Sequence, residues 1–178
     1  MLRSPRAPGD LPVAGLRAEL QHSTAPSLRR RRAIVGISLV GMAAMAGVLL
    51  LQAGIVRHLP DPPLSGFDSD RVNSSDLAYG LGVPDGAVSL ASLAMNVPAA
   101  LLGGADRAER HPLVPLAVGM KAAIEAVVSA WYFDQMPARA KAWCGYCIVG
   151  ALASFAVFGL AMPEALAAAR ARRRASSP

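Results

Sequence analysis

Only two cysteines, Cys144 and Cys147, occur among the 178 residues, together with only three histidines. A chain so poor in thiols cannot be held by a framework of several disulfides. Charged residues make up 17% of the sequence against 53% hydrophobic, a balance that excludes an ordinary water-soluble globule. The apolar runs lack the alternation of polar and apolar positions that a transmembrane barrel requires. No internal repeat is apparent beyond the spacing of those runs.

What is present is four apolar stretches: Ala33 to Val56, about Gly86 to Gly104, Leu113 to Phe133, and Cys144 to Met162. Each is near the about 20 residues that cross about 30 Å of hydrocarbon as a helix. Helices are predicted because a spanning segment must satisfy its own backbone polar groups inside lipid. The fold class expected is all-α: an integral membrane four-helix bundle with a long extracytoplasmic loop between helices 1 and 2. The start of the first stretch, "LRRRRAIVG", imitates a secretory signal, and Ala44-Met45-Ala46 imitates its cleavage site. The apolar run continues through "GVLLLQAGIV", which is too long for a signal.

Basic residues outnumber acidic ones 18 to 12, but their placement speaks of orientation rather than of nucleic acid. Arginines crowd before the first span (Arg29 to Arg32), between spans two and three (Arg107, Arg110) and after the last (Arg170, Arg172 to Arg174). By the positive-inside rule these places are cytoplasmic, so both termini are expected inside. The opposite face carries Asp61, Asp68, Asp70, Asp76 and Asp85 against Arg57 and Arg71, with Arg139 and Lys141 in its last turn. Three domains are expected: residues 1–32 as a disordered basic cytoplasmic N-terminus, 33–162 as the membrane domain, and 163–178 as a basic cytoplasmic tail. In the tail, Pro163 and Glu164 could open a helix, and its charge could meet anionic lipid.

The loop from Arg57 to Pro84 is longer than helix connections usually are, and such loops tend to be functional. Its first half, "RHLPDPPLSGFDSD", is expected to be extended. In its second half, "VNSSDLAYGLGVP", Ser74 or Ser75 could cap a short helix with Asp76 in the first turn. Trp131, Tyr132 and Trp143 fall at the expected outer interface and set Cys144 beside it.

The orientation puts Cys144 and Cys147 in the first turn of the fourth helix, on the oxidising side. Such a pair can close into a disulfide, and the helix N-terminus favours a thiolate at Cys144. Two cysteines scattered at random would fall three apart in roughly one or two chains per hundred, which weighs against two inert buried thiols. Zinc would find only His58 on the same face, so no metal is assigned.

Lys121 and Glu125 lie one turn apart near the middle of span three. Each charge costs about 2.5 to 3.5 kcal/mol at the centre of an inserting helix, while each of the roughly eight Leu, Ile, Val and Phe residues returns about 0.3 to 0.6. The span therefore needs the other helices, with the pair turned inward as a salt bridge or a proton route. Asn96 and Pro98 are assigned to packing in span two, and Asp85 and Ser89 open that span within reach of Cys144.

Taken together, the four spans with inside termini, the loop containing "RVNSS" followed by "GVPDG", and "AWCGYC" opening the last span resemble the vitamin K epoxide reductase family over Ala33 to Met162. The resemblance implies a bacterial plasma-membrane thiol:quinone oxidoreductase. Its Cys-x-x-Cys pair cycles between dithiol and disulfide and reduces a bound quinone of the menaquinone or ubiquinone type. By matching positions, Cys147 would face the quinone and Cys144 would exchange with an electron donor such as a thioredoxin-like extracytoplasmic protein. Ser75, Asp85 and Ser89 are the quinone-binding candidates; membrane lipid is a partner and nucleic acid is not. Two departures stand out: the loop has no cysteine pair, with Ser69 where the second is expected, and Ala151 replaces a tyrosine. The alternative is a non-catalytic membrane structural or partner-binding protein of the same fold.

Overall fold

A computed structural model describes residues 13–175 of the chain. Every regular element among them is helical: α1 (Val13–His22), α2 (Pro26–Gln52), α3 (Ser69–Asn73), a 3₁₀ turn (Asp76–Tyr79), α4 (Asp85–Leu101), α5 (Arg107–Arg110), α6 (Leu113–Gln135), a π turn (Met136–Ala140) and α7 (Gly145–Ala175). Three helical stretches are long and apolar enough to cross a membrane: Pro26–Gln52, Leu113–Ala140 and Gly145–Ala175.

The second expected span is shorter than the sequence suggested. α4 has 17 residues, about 25 Å of rise, against about 30 Å of hydrocarbon. It stops because Leu102 turns extended and Gly103 takes a positive φ of 77°. The Arg107 guanidinium then satisfies the freed carbonyls of Ala99 (2.7 Å) and Leu102 (2.9 Å).

The ends of the chain are more ordered than expected. Within 1–32, read from sequence as disordered, α1 forms and α2 opens with Pro26 in its first turn. Tertiary burial explains the latter, since Leu28 and Arg31 of that first part are each 1% exposed. The rest of that segment, residues 1–12, and the last three residues of the 163–178 tail lie outside the described residues. The tail's expected new helix is instead a continuation of α7. Pro163 sits inside it, where it leaves the Gly159 carbonyl, four residues before, without the usual helical N–H donor.

α7 and α2 are the central pair. α2 packs along α4 and α7, α7 packs along α2 and α6, and α4 touches α6 only sparsely. Small residues set the closest approaches: a Cβ on Gly41 would come 2.9 Å from Ala153 Cβ, and one on Gly119 would come 2.6 Å from Ala165 Cβ. Without hydrophobic drive between helices in lipid, such contact of backbones supplies the packing.

The two ends of this assembly are built differently. At one, Glu164 of α7 holds Arg31 of α2 and Arg107 of α5. Arg107 reaches it at 3.0 and 2.9 Å, and Arg31 Nε lies 3.1 Å from both carboxylate oxygens. Arg31 also donates to the carbonyls of Gly103 and Gly104, each at 3.1 Å. At the other end lie residues 53–84, which connect α2 to α4, and the start of α7. There the expected short helix is the 3₁₀ turn preceded by Ser75, although the Ser75 hydroxyl donates to Val72 O (2.7 Å) rather than capping. α3 was not foreseen; its N-cap is Asp68, whose carboxylate accepts from Arg71 N at 2.8 Å.

Candidate active site

Cys144 is the residue just before α7, and Cys147 lies in that helix's first turn. The short α3 is aimed at them. Asn73, its last residue and 2% exposed, donates from Nδ2 to Ser69 O (2.7 Å) and to Cys144 Sγ (3.2 Å), and its Oδ1 accepts from Cys147 Sγ (3.4 Å). One amide thus touches both sulfurs. The Cys147 backbone N–H adds a third contact to Cys144 Sγ at 3.2 Å.

These donors favour the ionised form of Cys144. The Cys147 thiol, whose one proton is shared between Asn73 Oδ1 and Cys144 Sγ, does most to bring the Cys144 pKa from 9.0 down to about 6. Burial works the other way, and Ser69, the Cys147 N–H and Asn73 add to the lowering. Cys144 is therefore the thiolate of the pair at neutral pH.

Access to the two sulfurs differs. Cys144 is 0% exposed. Residues 58–62 form a strap tied to α3 and to Tyr146, the elements beside Cys144. The Asp61 carboxylate accepts from Ser69 N (2.8 Å) and Ser69 Oγ (2.6 Å), Asp70 accepts from Leu59 N (2.9 Å) and pairs with His58, and Tyr146 OH donates to Pro60 O (3.2 Å). Behind the strap, the backbones of Gly66–Asp68 and Trp143 are bridged by bonds of 2.8 and 3.0 Å. The hydrogen bond to Asp70 raises the pKa of the exposed His58 ring, which favours the charged pair.

Cys147, in contrast, opens on a cavity of about 550 Å³ between α2, α4, α6, α7 and the 53–84 segment. Its size is that of a small-ligand pocket, and most of its lining is apolar, with Met45, Val48, Leu93, Ile124 and Val128 among the walls. The candidates Ser75, Asp85 and Ser89 all line it together with Cys147. Asp85 accepts from Gln52 Nε2 (2.7 Å), while Gln52 Oε1 takes the Gly86 N–H (3.0 Å). Cys144 does not line the cavity; it lies behind Cys147.

Sequence reasoning missed Asn73 and Gln52. "RVNSS" contains Asn73, but nothing local distinguishes its amide from the serines that follow. Lys121 and Glu125 do form the expected pair (2.7 Å), and both line the cavity. Asn96, assigned to packing, bonds to both of them.

A helical, multi-pass membrane protein with one thiol facing an apolar cavity and a second, buried thiol beside it is the class that this fold and site define. The chain belongs to the vitamin K epoxide reductase family, whose family model matches residues 32–162. That range runs from within α2 past the cysteines and includes the whole cavity wall. The family is one of oxidoreductases, generally linked to quinones. No curated protein and no solved structure matches the chain.

Proposed function

We propose that the protein is a membrane thiol:quinone oxidoreductase in which Cys144 and Cys147 cycle between dithiol and disulfide. The carrying observation is the Asn73 amide, which joins a cavity-facing Cys147 to a Cys144 held as thiolate. The Cys144 thiolate would bond to Cys147 Sγ as two electrons leave the pair for an acceptor in the cavity, and a thiolate is likewise what thiol–disulfide exchange with a donor requires.

The cavity fits a quinone ring by its volume, its apolar walls and its few polar groups. A quinone supplies a two-electron acceptor there. Ser75, Asp85 and Ser89 would orient it, and the apolar walls would exclude water. Asn73 keeps the two sulfurs in register, and its Nδ2 stabilises the thiolate that closes the disulfide.

In this reading α4 is the second of four spans, both termini are cytoplasmic, and the 53–84 segment with the cysteines is extracytoplasmic in a bacterial plasma membrane. The positive-inside bias supports that orientation. With no loop cysteines, a thioredoxin-like dithiol would reduce Cys144 directly.

Replacing Cys147 by serine should abolish thiol-dependent quinone reduction by the purified protein, and unchanged turnover refutes the assignment. One observation favours the alternative, a structural or partner-binding protein: Cys144 has no exposed surface. Thiol labelling at a series of redox potentials separates the two. A pair that stays in one state across mild potentials supports the non-catalytic protein.

A further inference from the structure

The cavity has a second polar station, well away from the sulfurs. Lys121 Nζ donates to Glu125 Oε1 (2.7 Å), Asn96 Oδ1 (2.6 Å) and the Ser92 carbonyl (2.5 Å). Glu125 also accepts from Ser92 Oγ (2.6 Å) and Asn96 Nδ2 (3.3 Å). Ser92, Lys121 and Glu125 all line the cavity, and 27% of the Lys121 side chain is exposed. Along α4, Ser92 lies seven residues beyond Asp85, about 10 Å. A six-membered ring with an oxygen at each end, and one contact beyond each oxygen, bridges such a gap.

The three bonds of Lys121 are not equivalent. Glu125 and Asn96 are side-chain acceptors that need the ammonium. The Ser92 carbonyl lies inside α4, where the Asn96 N–H already serves it. The third N–H is therefore the one that can turn to a ligand without leaving an acceptor unpaired.

Proton bookkeeping shows why a donor is needed there. Turning a para-quinone into its hydroquinone takes two electrons and two protons. The electrons come from the two sulfurs as the Cys144–Cys147 bond forms. Of the pair only Cys147 lines the cavity, so only its proton can pass directly to the ring, while Cys144, lowered to about 6, closes the disulfide as a thiolate. One proton is missing.

Resting on the thiol:quinone reading above, we infer that Lys121, pinned by Glu125 and Asn96, holds the quinone oxygen farther from Cys147 and gives it the second proton. The step balances: quinone, Cys144 thiolate, Cys147 thiol and Lys121 ammonium become hydroquinone, disulfide and Lys121 amine. When a donor dithiol reduces the disulfide, one of its protons stays on Cys147 and the other returns to Lys121. Among the described residues no other ammonium lines the cavity, Asp85 is at its sulfur end, and Met45, Val48 and Ser154 facing it from α2 and α7 carry no charge.

The test uses full-length protein in detergent with dithiothreitol as donor and two probes, 1,4-naphthoquinone and the single-carbonyl 1-tetralone. Binding is read by quenching of intrinsic fluorescence and turnover by quinone absorbance. Wild type should bind the quinone at least about tenfold more tightly than the ketone, the worth of one good hydrogen bond. Lys121→Arg still donates but cannot lose a proton. It should keep that preference while turnover falls about 100-fold, the low end of what a general acid supplies. The apolar double variant Lys121→Met with Glu125→Leu removes the station without stranding a charge, and should lose both preference and turnover. Wild-type turnover in Lys121→Arg, or an intact preference in the double variant, overturns the proton station alone. Absence of turnover in wild type itself overturns the thiol:quinone reading and the station with it.

Discussion

Glu164 is the position where a single change should cost most. Its carboxylate stands between two guanidinium groups, and the side chains of Arg31, Arg107 and Glu164 are 2%, 2% and 7% exposed. Changing Glu164 to glutamine preserves the shape but removes the only carboxylate bonded to either arginine among the described residues. It also turns an amide donor toward groups that are donors already. Removing one member of a buried ion pair costs about 3 to 5 kcal/mol, because the remaining charge is left without compensation. The arginine bonds to the carbonyls of Ala99, Leu102, Gly103 and Gly104 persist, which keeps the loss within that range. For a chain of this size each kcal/mol moves Tm by about 2 to 4 °C, so a fall of about 6 to 20 °C is expected. Thermal unfolding of the purified protein, followed by circular dichroism in one detergent, reads it directly. A melting point within about 2 °C of wild type would mean that water or lipid headgroups already neutralise the arginines, and the buried cluster would not be what holds this end together.

The remaining predictions concern the sulfur end. With Cys144 lowered to about 6, stability from its thiolate is fully present above the unfolded value near 9 and is lost as pH falls through about 6. Between pH 9 and pH 6 the wild-type Tm should fall, and Cys144→Ala should flatten that slope; equal slopes in the two proteins would contradict a lowered thiol. Asp61→Asn weakens the tie between the strap and Ser69, a loss of about 1.5 kcal/mol for a charged hydrogen bond, so maleimide labelling of Cys144 should quicken about tenfold. An unchanged labelling rate would show that reagents reach Cys144 by another route.

The contrast between the two ends also shows what could be read in advance. Cys144 and Cys147 were legible because a spacing of three on a helix start is a local property. The pairing of Lys121 with Glu125 was legible for the same reason, being one helical turn. Asn73 was not: its sulfur contact spans 71 positions, and the serines that follow it are as polar as it is. Asp85 was placed at the cavity, but its partner Gln52 was hidden 33 positions away at the end of an apolar run. A helix in the tail was expected, but Pro163 reads as its start, and that α7 runs on through the proline is not a local property, because a proline within a helix usually breaks it.

From sequence alone came the helical membrane character, the thiol pair at the head of the last helix, and the need for inward-facing charges in α6. These follow from hydropathy, run length and short-range spacing, each a property of a few consecutive residues. Only the tertiary structure decided that Cys144 is covered while Cys147 faces a cavity. It alone set Glu164 between arginines 133 and 57 positions away, and Lys121 against the α4 partner Asn96, 25 positions back. The physical reason is that lipid rewards every apolar helix alike. Close packing of small residues and the neutralisation of each buried charge then choose the neighbours, and both depend on where all the other helices stand.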